Sequence, residues 1–256
     1  MKKIRINLYS LAGCEGCATQ LINVFTTRPD LLRYVEFKHY RLIGLKADIP
    51  VKGGIAVIEG SAMSKHHEEL LIKIRKNSEL VIAIGSCALL GGVQALIGKS
   101  NANLMRMLKE VYGSRIPKII ELEKPKPITD IIKVDIKVPG CPVELNEIEK
   151  LLVDLVSGAL PRIRQRTVCL ECKLRENECL LDKGVLCLGP LAVGGCGAKC
   201  PTLGAPCYGC RGLFEDYDLK EFINILMEKG FNINDVKRRL LIFMGKVVSE
   251  IESNSH

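Results

Sequence analysis

Residues 4–27 read IRINLYSLAGCEGCATQLINVFTT, and this one stretch holds the pattern on which the fold reading rests. Ile4–Ser10 is a short apolar run broken by single polar positions, as a strand requires, and Ala18–Thr27 carries its apolar residues at helical spacing. Between them, Gly13-Cys14-Glu15-Gly16-Cys17 makes a turn. The same alternation runs outward along the chain. Val35–Ile43, Ile55–Glu59, Leu80–Gly85 and Ile132–Val138 read as strands, and Ser64–Asn77, Asn101–Val111 and Val143–Ser157 as helices. Alternating β and α implies a mostly parallel sheet with helices on both faces, an α/β, flavodoxin-like doubly wound domain, with the strand order left open.

Open sheets of this kind bind ligands outside the carboxyl ends of their strands. Cys14 and Cys17 follow the first strand, Cys87 follows Leu80–Gly85, and Cys141 follows Ile132–Val138. All four are expected in strand-exit loops at one sheet edge, where thiols distant in sequence converge as a metal centre requires.

A basic linker, Pro161-Arg162-Ile163-Arg164-Gln165-Arg166, marks a change of character. Two domains are expected, 1–160 and 161–256. From Cys169 to Cys210, 42 residues carry eight cysteines: Cys169, Cys172, Cys179, Cys187, Cys196, Cys200, Cys207 and Cys210. So short and loop-rich a segment builds little core of its own, and bound metal is expected to hold it together. Helices follow near Leu219–Glu228 and Asn234–Glu252, with Phe222, Ile225, Leu226, Leu240, Leu241, Phe243 and Met244 expected to pack on this domain.

Composition narrows the chemistry. With 47% hydrophobic residues among 256, the chain folds rather than staying disordered. No run of 18 apolar residues is present, so no membrane span is expected, and Met1-Lys2-Lys3-Ile4-Arg5 leads into Cys14 without the apolar region of a signal peptide. A cytoplasmic location is expected, where clustered cysteines bind metal more often than they form disulfides. Disulfides of the kind found inside hyperthermophiles are the plainer alternative. The net charge of +8 hints at nucleic acid or an acidic partner.

Twelve cysteines divide as four and eight, enough for three four-thiolate sites. Zinc ribbons pair two C-x2-C knuckles across about 15–20 residues. Here Cys169/Cys172 and Cys207/Cys210 are separated by 34 residues containing four more cysteines. Iron–sulfur cubanes fit these irregular spacings better, and Cys141-Pro142 and Cys200-Pro201 repeat the Cys-Pro step of bacterial ferredoxins. Glycines beside the cysteines let peptide N–H groups approach cluster sulfur.

In these motifs the chain resembles the small subunit of cytoplasmic, multisubunit [NiFe]-hydrogenases, of the archaeal sulfhydrogenase delta and F420-reducing or F420-non-reducing type. The resemblance spans nearly the whole chain. It rests on Gly13-Cys14-Glu15-Gly16-Cys17, Ile58-Glu59-Gly60-Ser61, Gly85-Ser86-Cys87-Ala88, Pro139-Gly140-Cys141-Pro142 and Cys169-Leu170-Glu171-Cys172. Cys187-Leu188-Gly189-Pro190, Gly195-Cys196-Gly197-Ala198-Lys199-Cys200-Pro201 and Pro206-Cys207-Tyr208-Gly209-Cys210 complete the ordered set. The resemblance implies three [4Fe–4S] clusters: a proximal one on Cys14, Cys17, Cys87 and Cys141, a distal one on Cys169, Cys172, Cys179 and Cys187, and a medial one on Cys196, Cys200, Cys207 and Cys210. A ferredoxin-like exchange of ligands between the last two stays open. It also implies two partners: a large subunit holding the nickel–iron centre, since no thiols remain here for nickel, and a flavin or iron–sulfur subunit serving NAD(P), F420 or a sulfur acceptor.

Two features depart from membrane-type members of the family. None of His39, His66, His67 and His256 lies in the cysteine block, so all-cysteine ligation is expected, with His66 and His67 on a solvated helix face. The glutamate that many members carry after the second proximal cysteine is replaced by Ala18-Thr19-Gln20. Glu59 is the remaining candidate proton relay, with a plain loop carboxylate as the alternative. Gly92–Ser100 imitates a P-loop but has five residues between its glycines instead of four, and follows a cysteine loop rather than a strand, so nucleotide binding is rejected. A complex I-like iron–sulfur subunit, which uses adjacent tandem cysteines, and a polyferredoxin-type carrier or zinc-stabilised module are the rivals. Twelve cluster thiolates and three doubly positive cubane cores bring the formal +8 to about +2, which removes the argument for nucleic acid.

Overall fold

The computed structural model describes residues 3–99, 101–116, 124–161 and 166–244. Its strands are β1 (Ile4–Ser10), β2 (Val35–Tyr40), β3 (Ile55–Glu59), β4 (Leu80–Ile84) and β5 (Ile136–Val138). The α-helices are α1 (Gly16–Thr27), α2 (Lys65–Asn77), α3 (Gly85–Leu90), α4 (Asn101–Tyr112), α5 (Leu145–Val156), α6 (Val168–Leu174), α7 (Lys199–Thr202), α8 (Leu219–Glu228) and α9 (Ile233–Leu241).

All five strands are parallel, in the order β2-β1-β3-β4-β5. This is the flavodoxin-like order. Every residue of β3 is buried, as befits a central strand covered on both faces. The pleat of β4 divides the core between two layers. Ile82 and Ile84 point to α1 and α5, packing with Leu21, Val24, Ile148 and Leu152. Val81 and Ala83 point the other way, to Leu71 and Ile74 of α2. A third apolar cluster is built wholly from residues after 166. In it Leu181, Leu188 and Leu191 meet Phe222 and Leu226 of α8 and Val236 and Leu240 of α9.

Several boundaries differ from the sequence reading. The second strand ends at Tyr40, because the chain reverses there: Tyr40 and Leu45 exchange backbone hydrogen bonds across a short 3-10 turn at Arg41–Ile43. The fifth strand shrinks to three residues, since Ile128 and Ile132 are drawn into the α2-side core instead of the ladder. Of the apolar positions assigned to the C-terminal core, Ile225 stands 38% exposed. The last described helix stops at Leu241, and residues 245–252 of the expected helix lie outside the described residues.

Candidate functional site

β1 and β3 are neighbours whose chains leave the sheet in opposite directions, so the crevice of this fold opens between their exits. The two exit loops are stitched together. Leu11 N–H donates to Glu59 O (2.9 Å), and Ala12 and Ser61 exchange bonds of 3.2 and 2.8 Å. Cys14, Cys17, Cys87 and Cys141 gather at this edge. The expectation that all four sit in loops needs correction, because Cys17 lies in the first turn of α1 and Cys87 in the first turn of α3. α3 starts as soon as β4 ends and α1 starts after a short loop from β1, and each presents its thiol from its N-terminal turn. Gly85 makes the junction possible: its φ is +85°, and a Cβ there would stand 2.4 Å from Cys17 Sγ.

The eight remaining cysteines form two further groups. Cys169, Cys172, Cys179 and Cys187 line a cavity of about 80 Å³ with Asn177 and Pro201. Cys196, Cys200, Cys207 and Cys210 line a larger one of about 470 Å³, and Cys141 of the first group reaches into it. Backbone N–H groups span both junctions. The Cys141 peptide hydrogen-bonds the Cys210 thiol, and Cys207 N–H donates to Cys187 Sγ at 3.2 Å. The group at 196–210 therefore lies between the other two, and three sets of four thiols stand in file.

All twelve cysteines are free thiols. Burial pushes Cys17 and Cys169 up to about 12 and Cys210 up to about 11, and mutual repulsion within the groups adds to the shift. Cys87, Cys141, Cys187, Cys196 and Cys207 move in the same direction for the same reason. Softly ligating sulfur, crowded and for eight of the twelve at least partly withdrawn from water, suits a polynuclear positive centre that removes both penalties at once. Among the described residues, no three His, Cys, Asp or Glu side chains close to the dimensions of a single-ion site.

Glu59 is 4% exposed, and burial together with the neighbouring Glu15 carboxylate raises it to about 7. Its Oε2 accepts from Ala18 N–H at 3.0 Å, while Oε1 is buried without a donor, and the Glu15 carboxyl adjoins the group. A proton held between the two carboxyl groups satisfies that atom. Glu15, anchored by Ser10 Oγ at 2.9 Å, is a site residue that sequence reasoning passed over, although it stands between two of the cysteines.

Three other residues were also missed. Gln94, within the P-loop imitation, donates to Ala12 O and Ser61 Oγ (3.0 and 2.9 Å) and turns its amide oxygen to Cys87 Sγ. That stretch follows α3, not a loop, and forms a 3-10 turn over Val93–Lys99. Glu171, 4% exposed, accepts from Gly195 and Gly197 N–H (both 2.8 Å) and from Arg166. Arg211, also 4% exposed, pairs with Glu147. Of the histidines, His39 of β2 stacks on Tyr9 of β1, and His67 Nδ1 accepts from Met63 N–H, so it caps its own helix turn rather than simply facing solvent. His256 lies outside the described residues.

An α/β sheet edge feeding a file of thiol groups defines an iron–sulfur type of redox subunit, and the comparisons agree with that class. Residues 14–155 match the family described as NADH ubiquinone oxidoreductase, 20 Kd subunit. The chain is 37% identical to sulfhydrogenase 2 subunit delta of Pyrococcus furiosus, over 88% of this chain and 93% of that one. It is 33% identical to a subunit of the F420-non-reducing hydrogenase vhu of Methanocaldococcus jannaschii, over 82% of each. Among solved structures, an NAD+-reducing [NiFe]-hydrogenase in the H2-reduced state superimposes with a TM-score of 0.56 at 32% identity, covering 96% of its chain but 64% of this one. The chain belongs to this family and, within it, to the [NiFe]-hydrogenase small subunits of the sulfhydrogenase delta and F420-non-reducing type. It is an electron-transfer subunit of an oxidoreductase, and among the described residues no helix is long and apolar enough to cross a membrane.

Proposed function

We propose that the chain holds three [4Fe–4S] clusters and conducts electrons between a nickel–iron large subunit and a flavin or iron–sulfur partner in the cytoplasm. The observation that carries this is the segregation of twelve thiols into three adjacent groups of four. Cys14, Cys17, Cys87 and Cys141 would hold the proximal cluster, Cys196, Cys200, Cys207 and Cys210 the medial, and Cys169, Cys172, Cys179 and Cys187 the distal. The N–H links at Cys141/Cys210 and Cys207/Cys187 support this order over an exchange of ligands. Bound there, the clusters supply reversible one-electron chemistry.

The chain's own residues do the rest. Asn177 Nδ2 lies 3.5 Å from Cys172 Sγ and Gly209 N–H 3.4 Å from Cys207 Sγ, donors that favour charge on sulfur. Glu59, with Glu15, is the candidate for holding a proton at the crevice edge. Exposed Leu42 and Ile43 flank the end of β2 on the edge that carries the first group, a fitting apolar border for the large subunit. The separate apolar cluster after residue 166 supports reading 1–160 and 161–256 as two domains. NAD(P), F420 and sulfur compounds are the acceptor classes to be distinguished, the P. furiosus and M. jannaschii relatives being named for sulfur and for not reducing F420.

The test is iron and acid-labile sulfide analysis with EPR of the dithionite-reduced protein, purified with its partners. Twelve irons per chain and interacting cubane signals are expected, with nickel in a co-purifying subunit. Stoichiometric zinc without sulfide would end the cluster reading. Clusters without a nickel-bearing partner would leave a complex I-like or polyferredoxin-type carrier.

A further inference from the structure

Between the Cys14–Cys141 group and the Cys196–Cys210 group lies a buried charge that none of the ligation explains. Arg211 follows Cys210 directly, and its side chain is 2% exposed. Four of its five N–H groups are engaged. Nε donates to Gly194 O (2.7 Å), Nη1 to Pro139 O (2.7 Å), and the fork of Nη1 and Nη2 grips both oxygens of Glu147 at 2.8 and 2.7 Å. Pro139 leads into Cys141, Glu147 stands on α5 in the sheet-bearing half, and Gly194 leads into Cys196. One guanidinium thus ties the loops that present ligands of two neighbouring sites.

The Cys196 loop is gripped from its other side as well. Glu171 takes the N–H groups of Gly195 and Gly197, so carbonyl and amides of one turn are held by opposite charges. The fit is close: a Cβ on Gly195 would stand 2.3 Å from Glu147 Oε1 and 2.4 Å from Arg211 Nη2. Away from water, charges act over distance with little screening, and removing one member exposes the other. The Cys196 thiol already registers both, Glu171 raising it and Arg211 lowering it.

We propose that Arg211 is a positioning residue that fixes the junction between the proximal and medial sites and balances the Glu147 and Glu171 carboxylates beside the medial site. This rests on the three-cluster reading. Arg211→Met leaves Glu147 without its partner and Glu171 with Arg166 alone, a net gain of negative charge that disfavours the more negative reduced state. Glu147→Gln leaves the guanidinium uncompensated and favours it. Simple loosening of the junction has no reason to produce shifts of opposite sign. Lysine keeps the charge but not the fork, so Arg211→Lys restores most of the potential while leaving the junction loose.

The experiment is an EPR-monitored redox titration of the complete hydrogenase complex at pH 8, wild type against the three variants. Burial raises the Glu147 carboxyl while the Arg211 fork opposes that shift, so the titration is run well above the ordinary carboxylate range. Expected are a medial midpoint shifted to lower potential in Arg211→Met and to higher potential in Glu147→Gln. The spin–spin splitting between reduced proximal and medial clusters should also narrow in Arg211→Met and Arg211→Lys. If Arg211→Met does not assemble, the sign of the Glu147→Gln shift decides. Shifts of the same sign, a downward or absent shift in Glu147→Gln, or unchanged potentials overturn the role of Arg211. Absence of cubane signals in the wild type overturns the cluster reading instead.

Discussion

The first thiol group and the two behind it are built by opposite strategies. Cys14, Cys17, Cys87 and Cys141 are set by the ends of parallel strands whose core is complete without them: Ile6, Leu21, Ile82, Ile84, Ile148 and Leu152 are all at most 1% exposed. The other eight thiols occupy loops and two helices of seven and four residues. There the apolar cluster forms mainly where α8 and α9 cover Leu181, Leu188 and Leu191 from one side. One site is cut into a framework whose apolar core lies mainly outside it. The other two are part of what makes their framework fold.

The contrast is broken or sharpened most strongly by removing iron. With chelator and reductant, hydrogen exchange in residues 166–217 is expected to approach the rate of an unstructured chain, while β1, β3 and β4 keep their protection. Equal protection in both halves would show that the C-terminal half has a self-sufficient core. A smaller effect comes from paired truncations. Ile84→Ala is expected to cost about 2–5 kcal/mol in urea denaturation with or without iron, because its cavity opens in a core that persists. Leu188→Ala is expected to cost a similar amount only in the iron-loaded protein, so a large penalty in the iron-free chain would contradict the contrast.

The smallest effect concerns Glu59. Its ordinary value is 4.5 and its folded value about 7, so the folded chain binds the extra proton between those two values. Stability contributed by the protonated group is complete below about 4.5 and is lost as pH rises through 7, at most about 3 kcal/mol. Glu59→Gln, which keeps an oxygen for Ala18 N–H, should flatten that part of the stability profile in urea titrations. An unchanged slope would mean that the Glu15–Glu59 pair holds no proton.

Much of the framework was legible because it is local. β1, β3 and α8 have the limits their sequence pattern predicts, since a strand of alternating or wholly apolar residues and a capped amphipathic helix are recognisable from a few neighbours. β5 was overestimated because Ile132 satisfies an apolar pattern equally well as a strand residue or as a core residue beside one. The start of α1 and the whole of α3 were missed, because Gly16 reads as a turn former and Gly85 as the end of a strand, although each opens a helix.

By itself the sequence determined the alternation of strand and helix, the twelve thiols and their division into four and eight, because each depends on residue type and spacing alone. Only the tertiary structure decided the strand order and the pairings Glu15 with Glu59, Arg211 with Glu147 and Glu171 with Gly195 and Gly197. Those depend on which buried polar groups meet after the chain has folded over tens of residues. A carboxylate or guanidinium has the same sequence signature whether it ends in water or in the one position where its charge is needed.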